Sequence, residues 1–157
     1  MARRWQLEQI QLIPKPRSDV FAFFADARNL ERLTPDNLGF NILTPVPIEM
    51  KTGTLIEYSL RLYGLTLRWR TLIEMFEPES RFIDTQLEGP YRYWRHVHEF
   101  EEVEQGTRMR DAVDYELPFG PLGTVARAVF VRRSLERIFG YRRQAVTEIF
   151  GSAQEAK

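Results

Sequence analysis

The chain has 157 residues, 43% of them hydrophobic and 28% charged, with 22 basic against 22 acidic side chains and a formal net charge of zero. That balance fits one globular domain spanning 1–157 and excludes a disordered chain. It lacks the surplus of Lys and Arg that non-specific nucleic-acid binding requires, and the absence of cysteine removes disulfides, thiolate metal sites and thiol nucleophiles.

Residues 4–13, "RWQLEQIQLI", alternate imperfectly and predict a first strand. "PKPRS" (14–18) breaks it, and Ser18 is placed to cap a short helix, "DVFAFFA", with Val20, Phe21 and Phe24 at helical spacing. Asp26 is placed to cap a second, "ARNLERL", which Pro35 stops. From residue 39 the period changes to two. "GFNILTP" reads as a short strand, "TLIEYSLRLYGLTLRWRTLIEMFEP" as two strands around Gly64, and "RFIDTQLEG" as the next. "YRYWRHVHEFEEV" and "TRMRDAVDYELP" form a hairpin around Glu104–Gly106. Residues 121–150 return to helical period, with Val131, Leu135, Ile138, Arg142, Val146 and Ile149 on one stripe and Gly140 as a weak point. "GPLG" before this helix reads as a turn and helix start, since it lacks the Lys-Ser/Thr of a phosphate loop.

This order predicts an α+β fold. A curved antiparallel sheet of about 6–7 strands wraps a long C-terminal helix, and two short helices follow the first strand. No stretch approaches the roughly 20 apolar residues of a membrane span. "MARRWQLEQIQLIP" lacks the uninterrupted apolar core of a signal peptide. The expected location is therefore the cytoplasm, without integral membrane association.

Alternation places Trp94, His96, His98 and Phe100 on one face of their strand and Met109, Asp111, Val113 and Tyr115 on one face of the next. These apolar sets belong inward, so Arg95, Glu99, Arg108, Arg110 and Asp114 pair across the wet face. A turn at Glu104–Gln105 sets His98 opposite Asp111; a turn at Gln105–Gly106 shifts the pairing by two. Neighbouring strands add Tyr58, Trp69, Asp84 and Gln86 to the interior. Two imidazoles and carboxylates left dry and unpaired there would cost several kcal/mol each. They must pair, hold water or meet a ligand.

At "LERLTPDNLGF", "FIDTQLEGPYRYWRHVHEFE", "GTRMRDAVDYELPFGPLG" and the Arg-rich last helix, the chain resembles the START-like, or SRPBCC, superfamily. The likeness is nearest to its polyketide cyclase/dehydrase and ligand-binding members, and Phe82 to Gly123 is its most specific part. It implies a helix-grip fold with a deep hydrophobic cavity for a lipid, polyketide, isoprenoid or aromatic molecule.

The expected function is binding of a small hydrophobic or amphipathic molecule, as carrier or sensor, with no cofactor. Trp69, Trp94, Phe100 and Tyr115 are expected as walls; Tyr58, Asp84, Gln86, His96, His98 and Asp111 hold the polar end. The rival is a cyclase or dehydratase in which His98, His96 and Asp111 are the catalytic candidates, acting as acid and base. A third reading is a Coq10-like protein that receives a lipid or quinone from a protein partner. His96-x-His98 with Asp84 or Asp111 also has the composition of a metal site, but nothing in the sequence fixes its ligand set, and the expectation is no metal.

Overall fold

A computed structural model describes residues 3–62, 64–118 and 124–152; the side chains of 124–126 lie outside this set, as does the "GPLG" turn. The strands are β1 (Arg4–Ile13), β2 (Asn41–Ile42), β3 (Leu55–Leu62), β4 (Leu65–Glu77), β5 (Arg81–Glu88), β6 (Tyr93–Val103) and β7 (Gly106–Glu116). They form one antiparallel sheet in the order β1-β7-β6-β5-β4-β3-β2. Helix α1 (Arg17–Phe24) follows β1, and helix α2 (Thr124–Phe150) ends the fold. This is the helix-grip architecture expected from the sequence.

Local chemistry sets the element ends. The carbonyl of Pro16 accepts hydrogen bonds from the amides of Asp19 and Val20, both at 3.1 Å, so α1 starts before Ser18. Ser18 is therefore inside the first turn and not the cap. Asp26 does cap, accepting from the Arg28 amide at 3.0 Å, but the element behind it is a single 3-10 turn, Ala27–Leu30. The strand expected over 39–45 shrinks to Asn41–Ile42. The amides of Leu43 and Thr44 both donate to the Glu57 carbonyl, and the Thr44 hydroxyl accepts from the Glu57 amide. That side-chain bond replaces the next rung of the ladder.

The β6–β7 turn is Glu104–Gln105, with Val103 paired to Gly106 and His98 directly opposite Asp111. Gly106 has φ +135°, and a Cβ there would run into the carbonyl oxygen of Ile13. Only glycine lets β7 start beneath that backbone, and the Thr107 hydroxyl fixes the approach by donating to Lys15 O at 2.8 Å. In β4, register shifts at Arg70/Thr71 and Ile73/Met75 bend the strand, which curves the sheet around α2.

Burial alternates strictly from Tyr93 to Phe100. The inner face packs at one end on α1, where Phe21 meets Phe100 and Phe76 at ring distances of 5.2 and 5.5 Å. The outer face carries charge pairs: Arg110–Glu99 at 3.4 Å within the hairpin, as expected, and Arg95–Glu74 at 3.1 Å and Arg110–Glu8 at 2.9 Å to the neighbouring strands. Helix α2 presents Leu135, Phe139, Ala145 and Val146 as its buried stripe. Gly140 is exposed, and a Cβ there would touch nothing within 4 Å. Gly140→Ala is therefore expected to stabilise the fold by about 0.5–1 kcal/mol, read as a higher urea midpoint at unchanged slope. Among the described residues no helix is long and apolar enough to cross a membrane.

Candidate functional site

Between the curved sheet and α2 lies a cavity of about 630 Å3. Its walls are apolar: Ile56, Leu60, Leu67, Trp69 and Trp94 from the sheet, Leu135, Ile138 and Phe139 from α2, and Leu30 and Leu33 from the segment after α1. The indole of Trp69 stands edge-on to that of Trp94 at 5.3 Å. The polar part of the surface gathers where β5, β6 and α2 meet, at Asp84, His96, His98 and Arg142.

Sheet register builds this cluster. Asp84 pairs with His96 across β5–β6, yet its carboxylate reaches diagonally to His98, with Oδ2 2.7 Å from Nε2. Asp111 stands opposite His98 and sits 3.1 Å from its Nδ1. The same Asp111 oxygen lies 3.0 Å from His96 Nε2. The two imidazoles stack at 3.7 Å, and Phe82 covers the far face of His98 at 4.1 Å. From α2, Arg142 brings Nε to 3.5 Å from the second Asp111 oxygen, a close ion pair without hydrogen-bond geometry.

The charge states follow from these partners. Burial alone would lower the His98 pKa, but hydrogen bonds to Asp111 and Asp84 outweigh it and raise it above the usual imidazole value. Burial and the neighbouring His98 charge lower His96, which is therefore the neutral ring, with Nε2–H assigned as donor to Asp111. Burial would raise Asp111, but the Arg142 charge and the two histidines hold it well below the carboxylate range. Burial likewise opposes the shift at Asp84, which the His98 hydrogen bond and the His96 charge lower. Arg142 Nη2 lies 3.4 Å from Nδ1 in donor geometry: it donates to Nδ1 when that nitrogen is bare, and when His98 is doubly protonated the contact is one between two donors that Asp111 neutralises. Two carboxylates, one imidazolium and one guanidinium then sum to zero. Tyr58, also on the cavity, has its pKa raised by burial and by the Asp84 charge, so its hydroxyl stays protonated.

Asp84, His96 and His98 place ligand atoms within 4.8 Å of one another, the composition of a metal site. Here the three groups pair with one another: Asp84 Oδ2 lies 2.7 Å from His98 Nε2 and 3.8 Å from His96 Nδ1, so the carboxylate oxygen itself holds the point on which the two nitrogens converge.

Of the residues expected at the site, Tyr58, Trp69, Asp84, Trp94, His96 and His98 border the cavity. Asp111 is 1% exposed and backs the imidazoles from behind. Gln86 instead clamps the β5–β6 loop, donating to Tyr91 O at 2.7 Å and accepting from its amide at 3.2 Å. Phe100 and Tyr115, expected as walls, are packed in solid core, Phe100 against the α1 rings and Tyr115 against Trp94 and Tyr91. Arg142 was not among the expected site residues. Its signal was a charge on the apolar stripe of α2, where a cation must find an anion inside.

Comparison with known protein families matches residues 13–139 to the one described as polyketide cyclase / dehydrase and lipid transport. The chain belongs to this family. Its description joins cyclase-type chemistry with lipid transport, so ligand binding or cyclase-type activity is the general function. Solved structures with the same fold include the Zhui aromatase/cyclase from Streptomyces sp. R1128, at 15% identity and TM-score 0.72 over 92% of each chain. Major latex-like protein 151 from Panax ginseng aligns at 12% identity and TM-score 0.66, over 94% of this chain and 97% of that one. The nucleoside-diphosphate sugar epimerase from Corynebacterium glutamicum aligns at 28% identity and TM-score 0.66, over 90% of this chain but 28% of that one. A comparison with curated proteins finds no match.

Proposed function

We propose that this family member binds a neutral amphipathic molecule, an apolar body with a hydroxyl end, as a carrier or sensor. One observation carries the reading: an apolar chamber of about 630 Å3 ends in a charge-balanced cluster whose most exposed member is an ionised carboxylate. The Asp84 side chain is 18% exposed, against 4% for His98 and 7% for His96. Beside it, at 3.8 Å, lies His96 Nδ1, the unprotonated nitrogen of the neutral ring. Both groups accept hydrogen bonds, so the ligand group that meets them must donate. A ligand carboxylate or phosphate would place an anion without a counter-charge against Asp84 in a low-dielectric site. The volume lies within the roughly 300–1,000 Å3 of sites for drug-sized ligands.

The test compares 2-naphthol with its methyl ether, 2-methoxynaphthalene, by fluorescence titration. A donor bonded to a carboxylate is worth about 1.5–3 kcal/mol, so the ether is expected to bind roughly ten- to hundredfold more weakly, and Asp84→Asn to erase most of that difference. Equal affinities would overturn the hydroxyl assignment. Failure of both probes, with nothing extracted from the purified protein by organic solvent, would overturn the binding reading itself.

A cyclase or dehydratase reading is favoured by the same carboxylate. The ionised Asp84 facing the apolar chamber is the base in this reading, weakened by the His98 hydrogen bond that lowers its pKa, and the protonated Tyr58 hydroxyl is the donor for a forming enolate. In that case Asp84→Asn abolishes turnover of a polyketide-like substrate while binding persists. A carrier shows no turnover with either protein.

A further inference from the structure

The cavity opens at one end of the sheet, and that end has its own chemistry. The cavity-lining residues that are also exposed are Leu65 at the β3–β4 tip, Pro118 after β7, and Arg127 and Phe130 in the N-terminal half of α2. Leu65 is 65% and Phe130 51% exposed, and Val129 beside it is 47% exposed. Large apolar side chains left in water around a cavity mouth mark a surface that meets something.

Charge identifies the partner. Strand register puts the end of β3, the start of β4 and the ends of β5 and β7 at this mouth, and the β4–β5 and β6–β7 turns at the opposite end. Arg61, Arg68 and Arg133 are exposed around the mouth, with no acidic partner among the described residues. Of the acidic groups there, Glu116 and Glu136 are engaged by Arg4 and Arg132, which leaves Glu88 at the end of β5 as an exposed carboxylate against the three arginines. The opposite end carries exposed Glu79, Glu101, Glu102 and Glu104 against exposed Lys15 and Arg108, with Glu79 3.9 Å from Arg17. A chain of zero net charge is thus polarised, basic where it opens and acidic where it is closed. Apolar residues ringed by unpaired arginines match the interface of an anionic bilayer, where the rings enter the acyl boundary and the guanidinium groups stay at headgroup level.

We infer that the rim formed by Leu65, Phe130 and Val129, with Arg61, Arg68 and Arg133 around it, docks reversibly on anionic membrane surfaces and turns the cavity mouth toward the lipid. This inference does not depend on which molecule the cavity holds.

The full chain is tested by co-sedimentation with vesicles of equal parts phosphatidylglycerol and phosphatidylcholine, and with vesicles of phosphatidylcholine alone. Binding is expected to the first and not the second, and to weaken with salt. Arg61→Gln and Arg133→Gln should each lower partitioning about fivefold. The double change Leu65→Ser with Phe130→Ser should lower it more than tenfold. Glu104→Gln, at the far end, should change nothing. All these residues are exposed, and a matching far-ultraviolet spectrum confirms that each variant is folded. No binding to anionic vesicles at low salt overturns the inference. So does binding that the rim variants leave unmoved, or a dimer in solution that they dissolve, which would make the partner a second copy of the chain.

Discussion

Asp111→Ala is expected to destabilise the protein by about 3–5 kcal/mol, the cost of breaking a buried ionic network from one side. The effect should be this large because Asp111 is the shared counter-ion. One of its oxygens faces both imidazoles, at 3.0 and 3.1 Å, and the other faces Arg142 at 3.5 Å. Without it, an imidazolium and a guanidinium lie 3.4 Å apart in a buried site with Asp84, at the other ring nitrogen, as the remaining anion and a net positive charge. Equilibrium urea unfolding measures the loss. Simple cavity formation would also cost stability, so a second variant separates the causes. Replacing Asp111 and Arg142 together by Leu and Met removes one anion and one cation, leaves the Asp84–His98 pair intact, and should recover much of the loss. A single-variant cost below about 1 kcal/mol, or a double variant no better than the single one, would refute the shared counter-ion role.

The same network shows what the sequence could express and what it could not. Period two in "WRHVHEF" fixed which side chains point inward, and burial follows it residue by residue from Tyr93 to Phe100. Inward is a statement about a face, however, and not about a position along it. Phe100 shares the face of His96 and His98 but lies beneath α1, where the sheet is capped by phenylalanine rings, whereas Trp94 lies where the space is open. Only the docking of the helices separates these two. Register was open by one step between two turns, and the closed approach of Ile13 over Gly106 selects Glu104–Gln105. That is a contact between segments more than ninety positions apart, which no local pattern contains. Arg142 had a legible anomaly, a charge in an apolar stripe, but its partner lies on β7 and could be named only once α2 was laid across the sheet. The β2 strand is shorter than expected for a different reason. A side-chain hydroxyl, Thr44, outcompeted the backbone for the Glu57 amide.

Stability is expected to peak on the mildly acid side of neutrality and to fall as the medium turns alkaline, because the two histidines are shifted in opposite directions. Unfolded histidine titrates near 6.5 and aspartate near 3.9. The folded His98 pKa is raised, chiefly because hydrogen bonds to Asp111 and Asp84 overcome burial. Its contribution is fully present below about pH 6.5 and is lost as pH climbs through the folded value. The folded His96 pKa is lowered by burial and by its charged neighbour, so below about 6.5 the unfolded chain takes up a proton that the native ring refuses, and stability falls with pH there. Asp84 and Asp111 are both lowered; their contribution is present above about 3.9 and disappears as pH falls through their native values. His98→Gln keeps a donor for Asp84 but cannot be charged. Urea midpoints from about pH 6 to 9 should decline for the parent chain and stay level or rise slightly for the variant, since only His96 then titrates. Curves that run parallel across this range would show that His98 is neutral in the folded protein. The cluster would then carry a net negative charge, and the argument for a neutral ligand at Asp84 would fail with it.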